Sequence, residues 1–147
     1  MNNLNSEQKI EILNSRLKDV SFEMNEKIRG DPKDDVLNFE ISTRVDEFNS
    51  LDPKSKVYRL SLKGYLTLKN NDDIKFLVEV EYSTVVKFDN ISEENIDIFM
   101  NIDAAKISEP YVYQNINNLI LNSGFQPVNM LPQNYEDMYQ KRLSERI

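Results

Sequence analysis

Histidine and cysteine are both absent from the 147 residues. Without them there is no Ser-His-Asp or Cys-His nucleophile system, no Cys/His zinc site and no disulfide. A cysteine-free chain suits a reducing compartment. Glycine occurs only at Gly30, Gly64 and Gly124, so neither a Gly-rich phosphate loop nor a dinucleotide-binding turn can be assembled. No apolar run approaches the roughly 18 residues that a membrane-spanning helix needs. The stretch from Met1 to Glu11 is polar and lacks the apolar segment of a secretory signal. The expectation is a cytoplasmic chain with no direct membrane insertion.

What the chain does carry is negative charge. Its 25 Asp and Glu outnumber 18 Lys and Arg, for a net charge of −7. Such a surface repels phosphate backbones and anionic lipid, so no nucleic-acid partner is expected. A partner with a basic surface fits better. Carboxylate pairs stand at Asp34-Asp35, Asp72-Asp73 and Glu93-Glu94. Each falls at a turn or helix start, where solvated carboxylates belong, and nothing else converges on them. The reading is therefore non-enzymatic, with no catalytic residue, no metal ligand and no cofactor. The length fits one domain spanning residues 1–147, with 1–15 either frayed or extending the first strand.

Strand patterning comes first along the chain. Leu17 to Met24 reads as a strand, and Arg29-Gly30-Asp31-Pro32 as a turn. From Val36 to Phe48, Leu37, Phe39, Ile41 and Val45 alternate with polar residues. Val57 to Leu68 alternates likewise, and Lys69 to Asp73 reads as a hairpin connection. Lys75 to Phe88 is the fourth strand, with Phe76, Val78, Val80, Tyr82, Val86 and Phe88 inward. Four strands on short polar links predict an antiparallel meander with one face packed.

The period then changes. Ser92 is a candidate N-cap for a helix running to about Lys106. Ser108-Glu109-Pro110 reads as a second helix start, with proline in the first turn. Val112, Ile116, Leu119 and Ile120 form a helical stripe that Ser123-Gly124 ends. Asn134 caps a last helix striped by Tyr135, Met138, Tyr139, Arg142 and Leu143. Strands followed by helices predict an α+β class: a four-stranded antiparallel meander with C-terminal helices packed on one face.

Three segments carry a resemblance. One is Lys18-Asp19-Val20-Ser21-Phe22-Glu23. The second is Phe76-Leu77-Val78-Glu79-Val80. The third runs from Glu109-Pro110-Tyr111 through Gly124-Phe125-Gln126-Pro127 to Pro132-Gln133-Asn134-Tyr135-Glu136-Asp137-Met138-Tyr139. In order and spacing they resemble the SecB export chaperones over about residues 17–143. The chain departs from that family where Glu109 replaces a Phe, where Val112, Tyr113 and Gln114 replace Ala-Arg-Glu, and where Glu81 to Thr84 lacks the usual glycines. It closes on Lys141 to Ile147 without the acidic tail of export-type members.

The resemblance implies a molecular chaperone that holds unfolded polypeptide clients in apolar grooves. It implies hand-over to a partner such as the translocation motor SecA, and a homotetramer built as a dimer of dimers. The positions matching the family's docking face are Asp19, Glu23, Leu77 and Glu79. The apolar residues expected to line a client groove are Leu37, Phe39, Ile41, Ile116, Leu119, Ile120, Met130, Tyr135 and Tyr139. Apolar and aromatic surface rimmed by charge suits weak binding of extended chains. A competing expectation is a SecB-like module dedicated to one partner, such as an antitoxin.

Overall fold

The computed structural model describes residues 7–27 and 30–146. The start of the polar lead-in and Arg29 of the Arg29–Pro32 turn lie outside the described residues. Four long strands form one antiparallel sheet: β1 (Lys9–Met24), β2 (Asp35–Phe48), β3 (Ser55–Asn70) and β4 (Asp73–Asp89). The α+β class and the antiparallel sheet stand as read. The strand order is β1-β4-β3-β2, which corrects the meander. Strands β2, β3 and β4 follow one another, but β1 pairs with β4 and not with β2, so the connectivity is a Greek key.

The link from β1 to β2 therefore crosses from one edge to the other. Asn70 pins its end, donating from Nδ2 to the Asp31 carbonyl and to Asp35 Oδ1, both at 2.8 Å. The tight link between β3 and β4 turns at Asn71, whose φ of 56° is left-handed and suits Asn.

β1 is longer than its sequence pattern suggests because two register shifts interrupt it, between Ile12 and Asn14 and between Leu17 and Asp19. Each extra residue reverses the side-chain phase. Leu17 thus faces the same side as Tyr82, and Asp19 faces the opposite side with Glu81.

The helical part comprises α1 (Glu93–Ile98), a widened π turn (Phe99–Asp103), α2 (Ala104–Asn122) and α3 (Tyr135–Glu145). Ser92 and Asn134 cap as expected, accepting from Asn95 N at 3.2 Å and Asp137 N at 3.0 Å. The helix break near Ser108 is not there. From Glu93 to Asn122 the backbone stays helical. Ser108 is buried, and its hydroxyl bonds the Ala104 carbonyl and Thr84 Oγ1, each at 2.7 Å. Pro110 sits inside α2 on an exposed side, where water can serve the carbonyl its missing N–H leaves free. Gly124, with φ +87°, ends α2. Gly124 N bonds Leu121 O at 3.1 Å and Phe125 N bonds Ile120 O at 2.9 Å, a Schellman closure.

The core lies between the helices and the central strands β3 and β4. Leu60, Leu62, Leu66, Val78 and Val80 are fully enclosed beneath Met100, Val112 and Ile116. Gly64 is the point of closest approach. A Cβ there would meet Val112 Cγ1 at 2.5 Å and Ile116 Cδ1 at 3.0 Å, so only glycine lets α2 lie this low on β3.

Candidate functional site

The sheet face turned away from the helices carries the first site. Register puts Glu23 opposite Leu77, Ser21 opposite Glu79 and Asp19 opposite Glu81. Asp19, Glu23, Leu77 and Glu79 therefore share this face. Asp19 and Glu23 are exposed, while Leu77 and Glu79 are half-buried. It is the phase reversal before Asp19 that brings the β1 carboxylates to this side. Leu77 is not isolated. With Glu23, Met24, Asn25 and Ile74 it lines a hollow of about 200 Å³. Ile74 and Met24 were not singled out from sequence; Ile74 is 43% exposed and stands one residue inside the β4 start.

The acidic patch also contains cations whose pairing alternation alone does not reveal. Lys63 Nζ pairs with Glu79 Oε1 at 2.8 Å, and Lys18 Nζ with Glu81 Oε2 at 3.3 Å. The Glu79 carboxylate, with Glu81 and Asp19 adding to it, holds the Lys63 ammonium above the usual lysine range. Lys63 was legible as outward-facing on β3. Its pairing with β4 required the register.

The second site is the helix-side flank of β2. Leu37 is 48% exposed, and Phe39, Ile41, Leu119 and Met130 pack one side against the core while staying half-buried. Phe39 meets Tyr113 edge-to-face, with centroids 5.4 Å apart. The other expected groove residues are placed differently. Ile116, Ile120 and Tyr135 are fully buried and Tyr139 is 6% exposed. They belong to the core, because the helical stripe that reads as apolar surface is the stripe that seats α2 and α3 on the sheet. A further cavity of about 350 Å³ opens between β2 and α3, lined by Ser42, Thr43, Met138, Lys141, Arg142 and Glu145. Arg142 Nη1 donates to Thr43 Oγ1 at 2.7 Å.

The floor of this flank is set by a polar stripe on α2 that sequence reasoning missed. Glu109, Tyr113 and Asn117, spaced by four, hold the extended segment that returns from Gly124 to α3. Glu109 accepts from Gln133 N at 3.1 Å, and the Tyr113 hydroxyl donates to the Leu131 carbonyl at 2.9 Å. The Asn117 amide donates to the Val128 carbonyl at 3.0 Å and accepts from Val128 N at 2.8 Å. Burial pushes the Tyr113 hydroxyl up to about 12. Burial likewise raises Tyr135, helped by the nearby Glu109 carboxylate.

A family model described as preprotein translocase subunit SecB matches residues 3–146. The chain belongs to the SecB family. Similar SecB relatives include the protein-export protein SecB of Methylobacillus flagellatus, 31% identical over 90 residues, covering 61% of this chain and 57% of that one. SecB of Burkholderia mallei is 33% identical over 89 residues, covering 60% and 56%. These alignments span less than two thirds of those relatives' length. Among solved structures, the Mycobacterium tuberculosis Rv1957 SecB-like chaperone, in complex with a ChAD peptide from the Rv1956 HigA1 antitoxin, superposes with a TM-score of 0.62. It is 16% identical, with 84% of this chain and 90% of that one covered. The SecB fold is thus shared even where few residues are. Glu109, one of the departures from the family pattern, is 7% exposed and receives Gln133 N, so the replacement is built into the packing.

Proposed function

We propose that this chain is a SecB-type holdase that binds unfolded polypeptide along the β2 flank and hands it on through the outer sheet face. The observation that carries the reading is the row Leu37, Phe39 and Ile41. Their cross-strand partners Leu68, Leu66 and Gly64 face the core, yet the β2 residues are covered on one side only. Such a surface offers apolar contact beside a strand edge that has no partner among the described residues, and extended chains can use both. No bond need be made or broken for this. Binding and release follow mass action. The site residues in this reading are Leu37, Phe39, Ile41, Leu119 and Met130 for the client, and Asp19, Glu23, Leu77 and Glu79 for a basic partner such as SecA.

The working form is a homotetramer, a dimer of dimers. On the helix side of β1, Ile10, Ile12, Leu17, Val20 and Met24 are 37–43% exposed, beside an edge with no strand partner among the described residues. A second copy would cover both. A second reading keeps the flank but gives it a single client. It is motivated by the antitoxin peptide bound to the Rv1957 chaperone. One experiment separates these readings. The protein is mixed with several unrelated slow-folding chains, unfolded and folded, and complexes are sized. Capture of many unfolded chains and no folded ones supports the holdase. Failure with all of them overturns it and leaves the dedicated partner.

A further inference from the structure

The outer sheet face has two electrostatic halves, and the second has no assigned role. Around Leu77 it is acidic. Two to three rows further along, cations stand among the carboxylates. Register sets Arg16, Ser83, Ser61 and Arg44 in one row across all four strands, and Asp19, Glu81, Lys63 and Ser42 in the adjoining row. Between these rows lies a depression of about 120 Å³ lined by Ser42, Arg44, Ser61, Lys63 and Glu81. Ser61 is 5% exposed and its hydroxyl has no hydrogen-bond partner among the described residues. A buried hydroxyl left unpaired is costly. Next along β3, Arg59 Nε is in the same condition. The pocket gathers two hydroxyls, the Glu81 carboxylate and two cations already paired with Asp46 and Glu79 outside it, and of these groups the buried Ser61 hydroxyl is the one left without a partner.

We propose that this depression is an oxyanion site whose occupant is a carboxylate carried by the polypeptide that docks on the sheet face. The donors are the Ser42 and Ser61 hydroxyls and the terminal nitrogens of Arg44, whose Nε is engaged by Asp46 at 3.1 Å. Lys63 contributes its field, since its ammonium already meets Glu79. The walls select the charge. Glu81 lines the depression and Glu79 flanks it, so a singly charged carboxylate is tolerated where a phosphate dianion is repelled. A docking segment would then need cations for the Leu77 end and one acidic side chain for the Arg44 end. That dual demand discriminates against purely basic chains. The polypeptide half of the proposal rests on the docking reading given above; the anion half does not.

The test has three arms. Sodium acetate is titrated into the protein while backbone amide signals are followed. Saturable shifts are expected at residues 42–44 and 61–63. Affinity should fall by about fivefold or more in Ser61→Ala and in Arg44→Gln, as loss of a charge-assisted hydrogen bond implies. Glu40→Gln, elsewhere on the same face, should leave it unchanged. Arg44 is exposed, so its variant will fold if Ser61→Ala does not. Shifts that never saturate, or that ignore Arg44→Gln, overturn the site. In the second arm, inorganic phosphate replaces acetate near neutral pH and should bind more weakly; tighter binding overturns the assignment to carboxylate. In the third, a lysine-rich peptide carrying one glutamate is compared with its glutamine twin. The glutamate peptide should bind several-fold tighter to the parent and equally to Arg44→Gln. If neither peptide binds while acetate does, the docking reading and the polypeptide half fail together and the anion site stands.

Discussion

Asn117 and Val128 face each other as two strands would, the side-chain amide exchanging one hydrogen bond in each direction with the Val128 backbone, at 3.0 and 2.8 Å. Asn117→Ala leaves both Val128 groups to find water or stay unpaired. The expected loss is about 1–3 kcal/mol in urea unfolding. Asn117→Asp keeps the acceptor for Val128 N and should fall between parent and Ala. Equal stability of all three would mean that the return segment is held by its apolar contacts alone.

Groove and core can be separated by paired variants. Leu37→Asp alters a side chain that is 48% exposed and should change stability by less than about 1 kcal/mol. It should still reduce capture of unfolded clients in an aggregation assay. Ile116→Ala empties a fully enclosed position and should cost about 2–5 kcal/mol. A Leu37→Asp protein that protects clients as well as the parent would remove β2 from the proposed groove.

For the outer face, the ion pair between Lys63 and Glu79 changes what a charge reversal does. Glu79→Lys sets two ammonium groups against each other, where a partly exposed pair contributes only about 0–1 kcal/mol. Stability should therefore drop by about 1 kcal/mol at most. Capture of SecA or its C-terminal segment should weaken for Glu79→Lys and for Leu77→Glu, and added salt should weaken the parent in the same direction. Unchanged affinity in both variants would leave the acidic end as solvated surface.

Assembly should follow the β1 stripe. Light scattering is expected to give a tetramer, with dimers on dilution. Val20→Asp, at a position 37% exposed, should shift the population to smaller species. A monomeric parent at micromolar concentration would contradict the assembly and weaken the groove.

Alkaline pH offers a check on the buried phenols. Burial pushes Tyr113 and Tyr139 up to about 12 from 10.0, Tyr139 also through its bond to Asp97. The folded state then keeps these protons where the unfolded state has released them. The stabilisation is complete below pH 10 and disappears as pH rises toward 12. Tyrosinate absorbance should lag behind that of the unfolded chain across this window. Coincident titration curves would mean that these hydroxyls are solvated.

Much of this architecture is readable in the chain because alternation is regular where a strand is regular. β2, β3 and β4 begin and end within about two residues of their sequence patterns, within the usual uncertainty of boundaries. β1 is not regular. Its core-side set is Ile10, Ile12, Ser15, Leu17, Val20, Phe22 and Met24, as their partners on β4 show. Two three-residue steps destroy the period of two, so only its second half, from Leu17 to Met24, reads as a strand. Strand order was hidden for a different reason: pairing of β1 with β4 is a long-range choice that no local pattern encodes. The docking residues come together because each lies in phase on its own strand. Lys63 and the row through Ser61 needed the register. Four of the nine groove residues were misplaced because an apolar helical stripe looks the same whether it faces a groove or a core.

The partnering of β1 also orders events in time. Its contacts run from Lys9 with Asp89 to Met24 with Phe76, so the earliest made of these four strands finds its neighbour only after the other three are made. Loop closure on this scale is slow, and until it happens the β1 stripe and both its edges are open to other chains. A protein proposed to shelter unfinished polypeptides is thus, for the length of its own synthesis, one of them.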